Sequence, residues 1–522
     1  MTLMLTLGTA AFGAQKTLPS GKDTGSINVT NLKPGDTVTA YQFVKADYNE
    51  YGFTGYSAIN NYVKDPVAPT AQEVIDMASN AATMTVAAEK KVATGDTEVT
   101  LNGLPVGYYL VMVTSGSETV YSPMIAGIYY SKSATDNTLT NGAISADSDF
   151  EIKAQKCWAK SSTPKLEKTI VTPSSKNSKG DDIAIGDKIT FNLSATVPSY
   201  SKEYKKVTYK IYDIMSEGLD YVDGSMKCFI EKYENNRENI KVTPKVNGGI
   251  IEITFDSKFI LEHPGQKIQV EYQAKLNEKA GINFDANINK AYLEYSNNPA
   301  SGSTAKTGED KVYVYTFGID SNLFGKSTEK WNEKTKELIK VEEGEYQWVE
   351  TEKESGIFTT TTALEGATFT LTNNKTKKSY TATSDKYGYL KFTGLDAGEY
   401  TLQETDAPDG FTLNDAKHTV VIKAEYNQDG TLKSYTIKID DKATSTYTAT
   451  YDKGVIKTIT STKDSQGNIS ESAILKNSKM SFLPSTGGVG TTIFAIVGVV
   501  FVAAALGLHM ILRGKSKLEQ DR

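Results

Sequence analysis

The side chains that most often bind metals or act as nucleophiles are few in this sequence. They are His263, His418, His509, Cys157 and Cys228, scattered through 522 residues. No pair has the spacing of a metal-binding motif, and two distant Cys give no disulfide framework. No nucleophile lies beside a base in any recognisable constellation, so the chain is expected to turn over no substrate and to need no cofactor or metal. With 57 Lys+Arg against 63 Asp+Glu the formal net charge is −6, and there is no basic block. Nucleic-acid binding, which needs clustered cations against phosphates, is excluded. One short segment, Leu483-Pro484-Ser485-Thr486-Gly487, has a backbone suited to attack. Pro484 fixes its own φ and biases Leu483 toward extended geometry, which favours an accessible peptide.

The ends of the chain set the compartment. Met1–Ala14 (MTLMLTLGTAAFGA) is Leu-rich and closes on small residues, as in a secretory signal peptide, although the basic segment that normally opens one is missing. An upstream start or a truncation is expected. Thr491–Leu512 carries no charge and is long enough to cross a bilayer, and Arg513, Lys515 and Lys517 in the 513–522 tail place that end in the cytoplasm. Everything between is then extracellular. The LPSTG segment, the apolar span and the basic tail, in that order, resemble the sorting signal of Gram-positive surface proteins. The resemblance implies that a sortase cysteine attacks the Thr486 carbonyl, cleaves before Gly487 and passes the acyl group to an amine.

The elements between the ends read as all-β. One amphipathic helix is expected over Thr70–Ala88, where Val74, Ile75, Met77, Ala78 and Ala81 fall near helical spacing. Elsewhere short alternating runs rich in Val, Ile, Thr, Tyr and Phe are bounded by turn residues. Examples are Lys188–Ala195, Lys267–Leu276, Ala367–Thr372, Glu399–Glu404 and Lys433–Ile439. This pattern predicts β-sandwiches. Asn102–Leu110 (NGLPVGYYL) and Thr393–Leu402 (TGLDAGEYTL) repeat one GLxxGxY turn, with Gly where a Cβ would be costly. Boundaries near Lys160–Pro164 and Tyr313–Phe317 divide the chain into 15–160, 161–315 and 316–482.

These segments are similar to the backbone pilins of Gram-positive sortase-assembled pili, over nearly the whole chain. Thr39–Val44 (TAYQFV) resembles the N-terminal domain of that family. Pro164–Lys168, Gly218–Tyr221 and Asn289–Ser296 resemble a middle CnaA-type domain. Leu364–Phe369 and Tyr400–Phe411 (YTLQETDAPDGF) resemble a C-terminal CnaB-type domain with its E-box, Phe411 standing for the last Tyr. The resemblance implies three tandem immunoglobulin-like (Cna-type) β-sandwich domains locked by intramolecular Lys–Asn isopeptide bonds. The chemistry is plausible on physical grounds. Burial disfavours the charged amine, while a neighbouring carboxyl, itself pushed up by burial, is expected to donate a hydrogen bond to the Asn carbonyl and to shuttle the proton.

By that resemblance Lys168 is the amine of the middle domain, Asn289 the acceptor and Asp213 the acid. They lie on first and near-last strands, whose cross-link clamps a sandwich against pulling. In the last domain Glu404 of the E-box is the acid and Asn477 the acceptor. The family's first-strand lysine position is read as filled by Leu323, and Lys326, followed by an insertion over Ser327–Ala363, is the choice of amine. No bond is assigned to the N-terminal domain. Pilins of this family also carry a polymerising lysine in a motif ending VYPK. Cys157-Trp158-Ala159-Lys160 overlays it, with Trp for Tyr and Ala for Pro, making Lys160 the choice and Lys156 the runner-up. The alternative for each is a linker lysine solvated at a domain junction, and Cys157 is read as lying in that linker. The implied protein is the shaft subunit of a covalent pilus on the cell wall. Its partners are identical subunits, pilus and housekeeping sortases, minor pilins, peptidoglycan and a host surface. The alternative is a monomeric wall-anchored adhesin binding host matrix.

Overall fold

The computed structural model describes residues 18–476, except 132–142, 145–149, 172, 175–176, 232–235, 320–323, 328–335, 343–344, 352–357, 363, 387–389, 441–442 and 462–472. For the rest of 324–362, and for 443–445, 461 and 473–476, it describes backbone alone. The signal segment, Leu323, Asn477, the LPSTG motif, the apolar span and the tail lie outside the described residues.

Strand alternation builds three successive sandwiches. In the first, a sheet ordered Cys157–Trp158, Thr24–Thr30, Glu98–Pro105 packs on a sheet ordered Gly52–Ala58, Thr37–Asn49, Gly107–Thr114, Met124–Ser131, Glu151–Ala154. The expected helix is shorter than its apolar pattern and spans Ala71–Ser79. Thr70 caps it: its hydroxyl accepts from the Glu73 amide, and the Glu73 carboxylate accepts from the Thr70 amide at 2.8 Å. The helix stops at Asn80. After a 3₁₀ turn at Ala81–Thr83 the chain joins the sheet as Val86–Lys91, paired with Thr37–Asn49. Sheet pairing of this Thr- and Val-containing stretch overrides its helical spacing. A second helix, Ser257–Glu262, has only six residues, too few for helical periodicity to show.

The middle sandwich faces two sheets across one core. One is ordered Leu166–Ile170, Lys188–Thr196, Lys267–Leu276, Lys227–Glu231, Arg237–Ile240. The other is ordered Gly180–Asp182, Asp310–Tyr315, Asn287–Asn298, Tyr209–Met215, Ile250–Thr254, Lys245–Asn247. Inward positions are buried and outward ones are not. Along Lys267–Leu276, for example, Ile268, Val270, Tyr272, Ala274 and Leu276 are the buried set. The third domain is built on a sheet of seven antiparallel strands, Ser379–Thr383 to Val455–Ser461. Within the 327–363 insertion, the backbone of Lys336–Glu342, Glu345–Thr351 and Phe358–Thr362 forms a separate three-stranded sheet.

The GLxxGxY repeat has a structural cause. Tyr109 donates its hydroxyl to the Pro105 carbonyl at 2.5 Å, and Tyr400 donates to the Asp396 carbonyl at 2.8 Å. Each buried tyrosine thus ties its strand to the residue four places upstream, in the manner of a tyrosine corner. The glycine constraint differs between the two copies. Gly107, at φ +155°, would place a Cβ 2.2 Å from the Val44 carbonyl oxygen. The first glycine is left-handed in both copies, Gly103 at φ +70° and Gly394 at φ +77°, but only Gly394 has a neighbour, Ile185 of the middle domain, 2.8 Å from a Cβ, and Gly398 is in ordinary surroundings.

Gly394 marks a close junction between the middle and third domains. Its carbonyl accepts from the Ile185 amide at 3.0 Å, and Lys378 bridges to the Ile185 carbonyl and the Asp187 carboxylate. Asp182 is buried there and accepts from the Tyr426 hydroxyl at 2.6 Å and from the Ala397 amide. Burial pushes its carboxyl up to about 6, against the pull of those two donors and with help from Asp181 and Asp396. A raised carboxyl binds its proton more tightly folded than unfolded, so stability is lost as pH rises from about 4 to 6 and regained on acidification. Denaturant unfolding of the full chain and of Asp182→Asn across that window is expected to show the wild type gaining up to about 3 kcal/mol on the variant as pH falls. A pH-independent difference would remove this role of Asp182.

Candidate functional site

Four inward-facing polar residues meet in the middle sandwich. Lys168 is on Leu166–Ile170 between Leu166 and Ile170, both buried; Asp213 is on Tyr209–Met215; Asn289 is on Asn287–Asn298. Each occupies a core position in its strand's alternation and is 0% exposed. The lysine comes from one sheet, the aspartate and asparagine from the other. In the second sheet Asp213 lies opposite Ala291, and Asn289 opposite Met215. The fourth residue, Tyr272, stands on the lysine's sheet, opposite Phe191.

The three residues named from the sequence are therefore brought together, and Tyr272 is the one sequence reasoning missed. Lys168 Nζ donates to Asp213 Oδ2 and, at 3.1 Å, to the Tyr272 hydroxyl. The Tyr272 hydroxyl donates to Asp213 Oδ1 at 2.7 Å and accepts from Asn289 Nδ2 at 2.7 Å. The expected direct hydrogen bond from the acid to the Asn289 carbonyl is not made. Asn289 Oδ1 is buried with no partner, and the acid and the amide are linked through the phenol instead. The reason is geometric: Tyr272 projects between them from the facing sheet.

The walls are apolar and aromatic, with the Lys168 amine 5.0 Å from the Phe191 ring centroid and 5.2 Å from that of Tyr272. Burial pulls the lysine amine down from its usual range, opposed by attraction to Asp213. Burial pushes the Asp213 carboxyl up, opposed by Lys168 and by the Tyr272 hydrogen bond. Both shifts favour a neutral amine beside a neutral acid, the pairing nucleophilic attack requires. At the rim, Asp310 accepts from the Lys168 backbone amide at 2.7 Å and from Lys179 Nζ at 2.6 Å, which fixes the strand that carries the nucleophile.

In the third domain Glu404 is buried on Gly398–Asp406 and accepts from the Asn414 amide at 2.7 Å. The Lys326 backbone lies in Phe324–Ser327, parallel to Ala473–Lys476, with Lys326 opposite Leu475. That pairing brings the lysine's strand beside the one leading to Asn477, which itself lies outside the described residues.

Lys160 and Lys156 are not on a linker, and neither is Cys157. Cys157–Trp158 is an edge strand of the first domain, parallel to Thr24–Thr30, and the Ala159 amide donates to the Thr30 carbonyl at 3.0 Å. Cys157 and Ala159 point into the core, whereas Lys156, Trp158 and Lys160 are exposed. A strand two residues long leaves too little alternation to be read from sequence. Cys157 and Cys228 are both free and buried, and burial pushes the Cys157 thiol up to about 11.

An anchored chain of tandem β-sandwiches with a buried Lys–Asp–Asn set is a pilin-like surface protein by architecture. Residues 22–161 match the T6 antigen Ig-like domain, 358–436 the prealbumin-like fold domain and 476–517 the LPXTG cell wall anchor motif. The trypsin-resistant surface T6 protein of Streptococcus pyogenes serotype M6 is 26% identical, across 95% of this chain and 96% of the relative. The T6 backbone pilin of the same serotype has a modular three-domain structure decorated with variable loops and extensions. It superposes with a TM-score of 0.59 at 20% identity, covering 88% of this chain and 100% of that one. The chain is thus a homologue of the T6 backbone pilin and a surface protein attached to the cell wall.

Proposed function

We propose that this chain is the structural shaft subunit of a covalently polymerised cell-surface pilus. The observation that carries the reading is the buried Lys168–Asp213–Asn289 set in a chain homologous to a backbone pilin. A lysine amine without solvent is costly unless it serves a reaction or a tight pair. Here it stands in one hydrogen-bonded group with a carboxyl and an amide, and attack on the Asn289 carboxamide gives an isopeptide bond with loss of ammonia. Glu404 has the corresponding role toward Lys326 and Asn477. These are single-turnover events within the fold, and the chain turns over no substrate.

Assembly uses the other end. A pilus sortase cleaves between Thr486 and Gly487 and joins Thr486 to Lys160 of the next subunit. A housekeeping sortase then transfers the finished fibre to peptidoglycan, with minor pilins at its ends. Such a head-to-tail contact is heterologous and open, so it yields a fibre. The test is electrophoresis of wall digests of the parent cell in SDS. A ladder of high-mass species is expected, lost completely in Thr486→Ala. A parent cell with only a single wall-linked band would favour the adhesin reading.

A further inference from the structure

We infer that Tyr272 is a catalytic residue of the middle-domain reaction, carrying the proton from Asp213 to the departing nitrogen of Asn289; this rests on the isopeptide reading of the same site. Proton bookkeeping defines the task. The unprotonated Lys168 amine adds to Asn289 Cγ, the Cγ–Nδ2 bond breaks, and Nδ2 leaves as ammonia. Nδ2 starts with two hydrogens and needs a third, while Nζ starts with two and keeps one. One proton must therefore travel from Nζ to Nδ2, and no other reactant is required.

Every connected path for that proton among the described residues passes through the Tyr272 hydroxyl, either straight from Nζ at 3.1 Å or by way of Asp213. Nζ is hydrogen-bonded to Asp213 Oδ2, Asp213 Oδ1 is 2.7 Å from the Tyr272 hydroxyl oxygen, and that oxygen is 2.7 Å from Nδ2. Neither Asp213 oxygen has a hydrogen bond to Asn289, and Asn289 Oδ1 has no partner at all. The acid thus reaches the leaving group only through the phenol. Asp213 takes a proton at Oδ2 from Nζ and gives one at Oδ1 to Tyr272. Once addition has made Nδ2 an amine with a free lone pair, the phenol's two resting hydrogen bonds reverse, it hands its own proton to Nδ2, and both groups finish as they began. Burial holds the phenol well above its ordinary range, so it is a neutral hydroxyl, able both to give and to take. The same oxygen lies 3.1 Å from Nζ, which aligns the nucleophile as well.

The test is Tyr272→Phe in the full chain, purified in detergent, with peptide mapping at intervals after folding. Phenylalanine keeps the ring against Phe191 and removes only the hydroxyl. The wild type is expected to yield a cross-linked peptide joining Lys168 to Asn289. The variant should give separate linear peptides at first and link about 100-fold more slowly, the usual scale for a lost proton-transfer group. Phe191→Leu, which loosens the same wall but keeps the hydroxyl, should still link. If the wild type links and Tyr272→Phe links as fast, the role of Tyr272 is overturned and the isopeptide reading stands. If the wild type is never linked, the isopeptide reading fails and takes this inference with it. Should Tyr272→Phe fail to fold, 3,5-difluorotyrosine at 272 keeps ring and hydroxyl while making the phenol more acidic. The pH profile of linking must then shift, and an unchanged profile overturns the role.

Discussion

Asp213→Ala is expected to leave the middle domain unlinked and severely destabilised. The intact chain should weigh about 17 Da more than the substitution alone predicts, because no ammonia is lost from Asn289. Two losses add in the same direction. Without the acid, the Lys168 amine has no proton acceptor at Oδ2, and only its longer 3.1 Å contact with the Tyr272 hydroxyl is left to move the proton. The lysine is also 0% exposed and loses the one carboxylate its amine pairs with among the described residues. Breaking a buried pair by removing one member costs about 3–5 kcal/mol, and losing a covalent closure costs about 2–5 kcal/mol where disulfides serve as the guide. Calorimetry of the full chain should therefore show one transition far below its wild-type position. A variant that keeps both the mass deficit and the transition would show that Asp213 is dispensable, and the site would have to be reassigned.

Lys160→Ala is expected to abolish the SDS-resistant ladder outright, with Lys156→Ala leaving it intact. Both side chains leave the first domain on the same outward phase of the strand, on either side of exposed Trp158. What distinguishes them is the hold on the backbone. The Lys160 carbonyl accepts from the Ser122 amide at 3.0 Å, and the next residues, Ser161–Ser162, pair with Val120–Tyr121. Lys160 is thus an exposed amine on a fixed base at the domain boundary, which favours a reproducible approach to an acyl-enzyme. A ladder lost only in Lys156→Ala would move the role to that residue. A ladder kept in both, and in the double variant, would leave neither as the acceptor.

Much of the middle-domain site was legible through the resemblance to the pilin family, and the structure supplies the physical counterpart: polar residues stand where alternation demands apolar ones. Lys168 falls between Leu166 and Ile170, Asp213 follows Ile211 on the same phase, and Asn289 precedes Ala291 and Leu293. Tyr272 shares that phase between Val270 and Ala274, but a buried tyrosine is unremarkable in a chain with 30 of them. What picks it out is a facing relation between sheets, and no local pattern encodes which inward residues of two sheets oppose each other. The Asp182 junction was illegible for the same reason, since its partners Tyr426 and Ala397 lie more than two hundred residues away. The edge strand at Cys157–Trp158 failed for want of length, and the helix after Thr70 was overextended because a sheet partner captured its second half.

The places of Lys168 and Asn289 along the chain bear on how far a fibre can lengthen. Load enters the middle domain at Leu166–Ile170 and leaves at Asp310–Tyr315, and the proposed link joins a residue of the entry strand to one of the strand paired with the exit. About 120 residues lie between the two attachment points, a stretch worth about 400 Å of extended chain. Once the link forms, that length is withdrawn from the path between subunits. A middle domain whose core had melted would then let its fibre grow only by the residues outside the loop, 161–167 and 290–315, about 110 Å of extended chain. A pilus assembled this way has most of that domain's slack removed in advance, and loss of folded structure would register more as softness than as length.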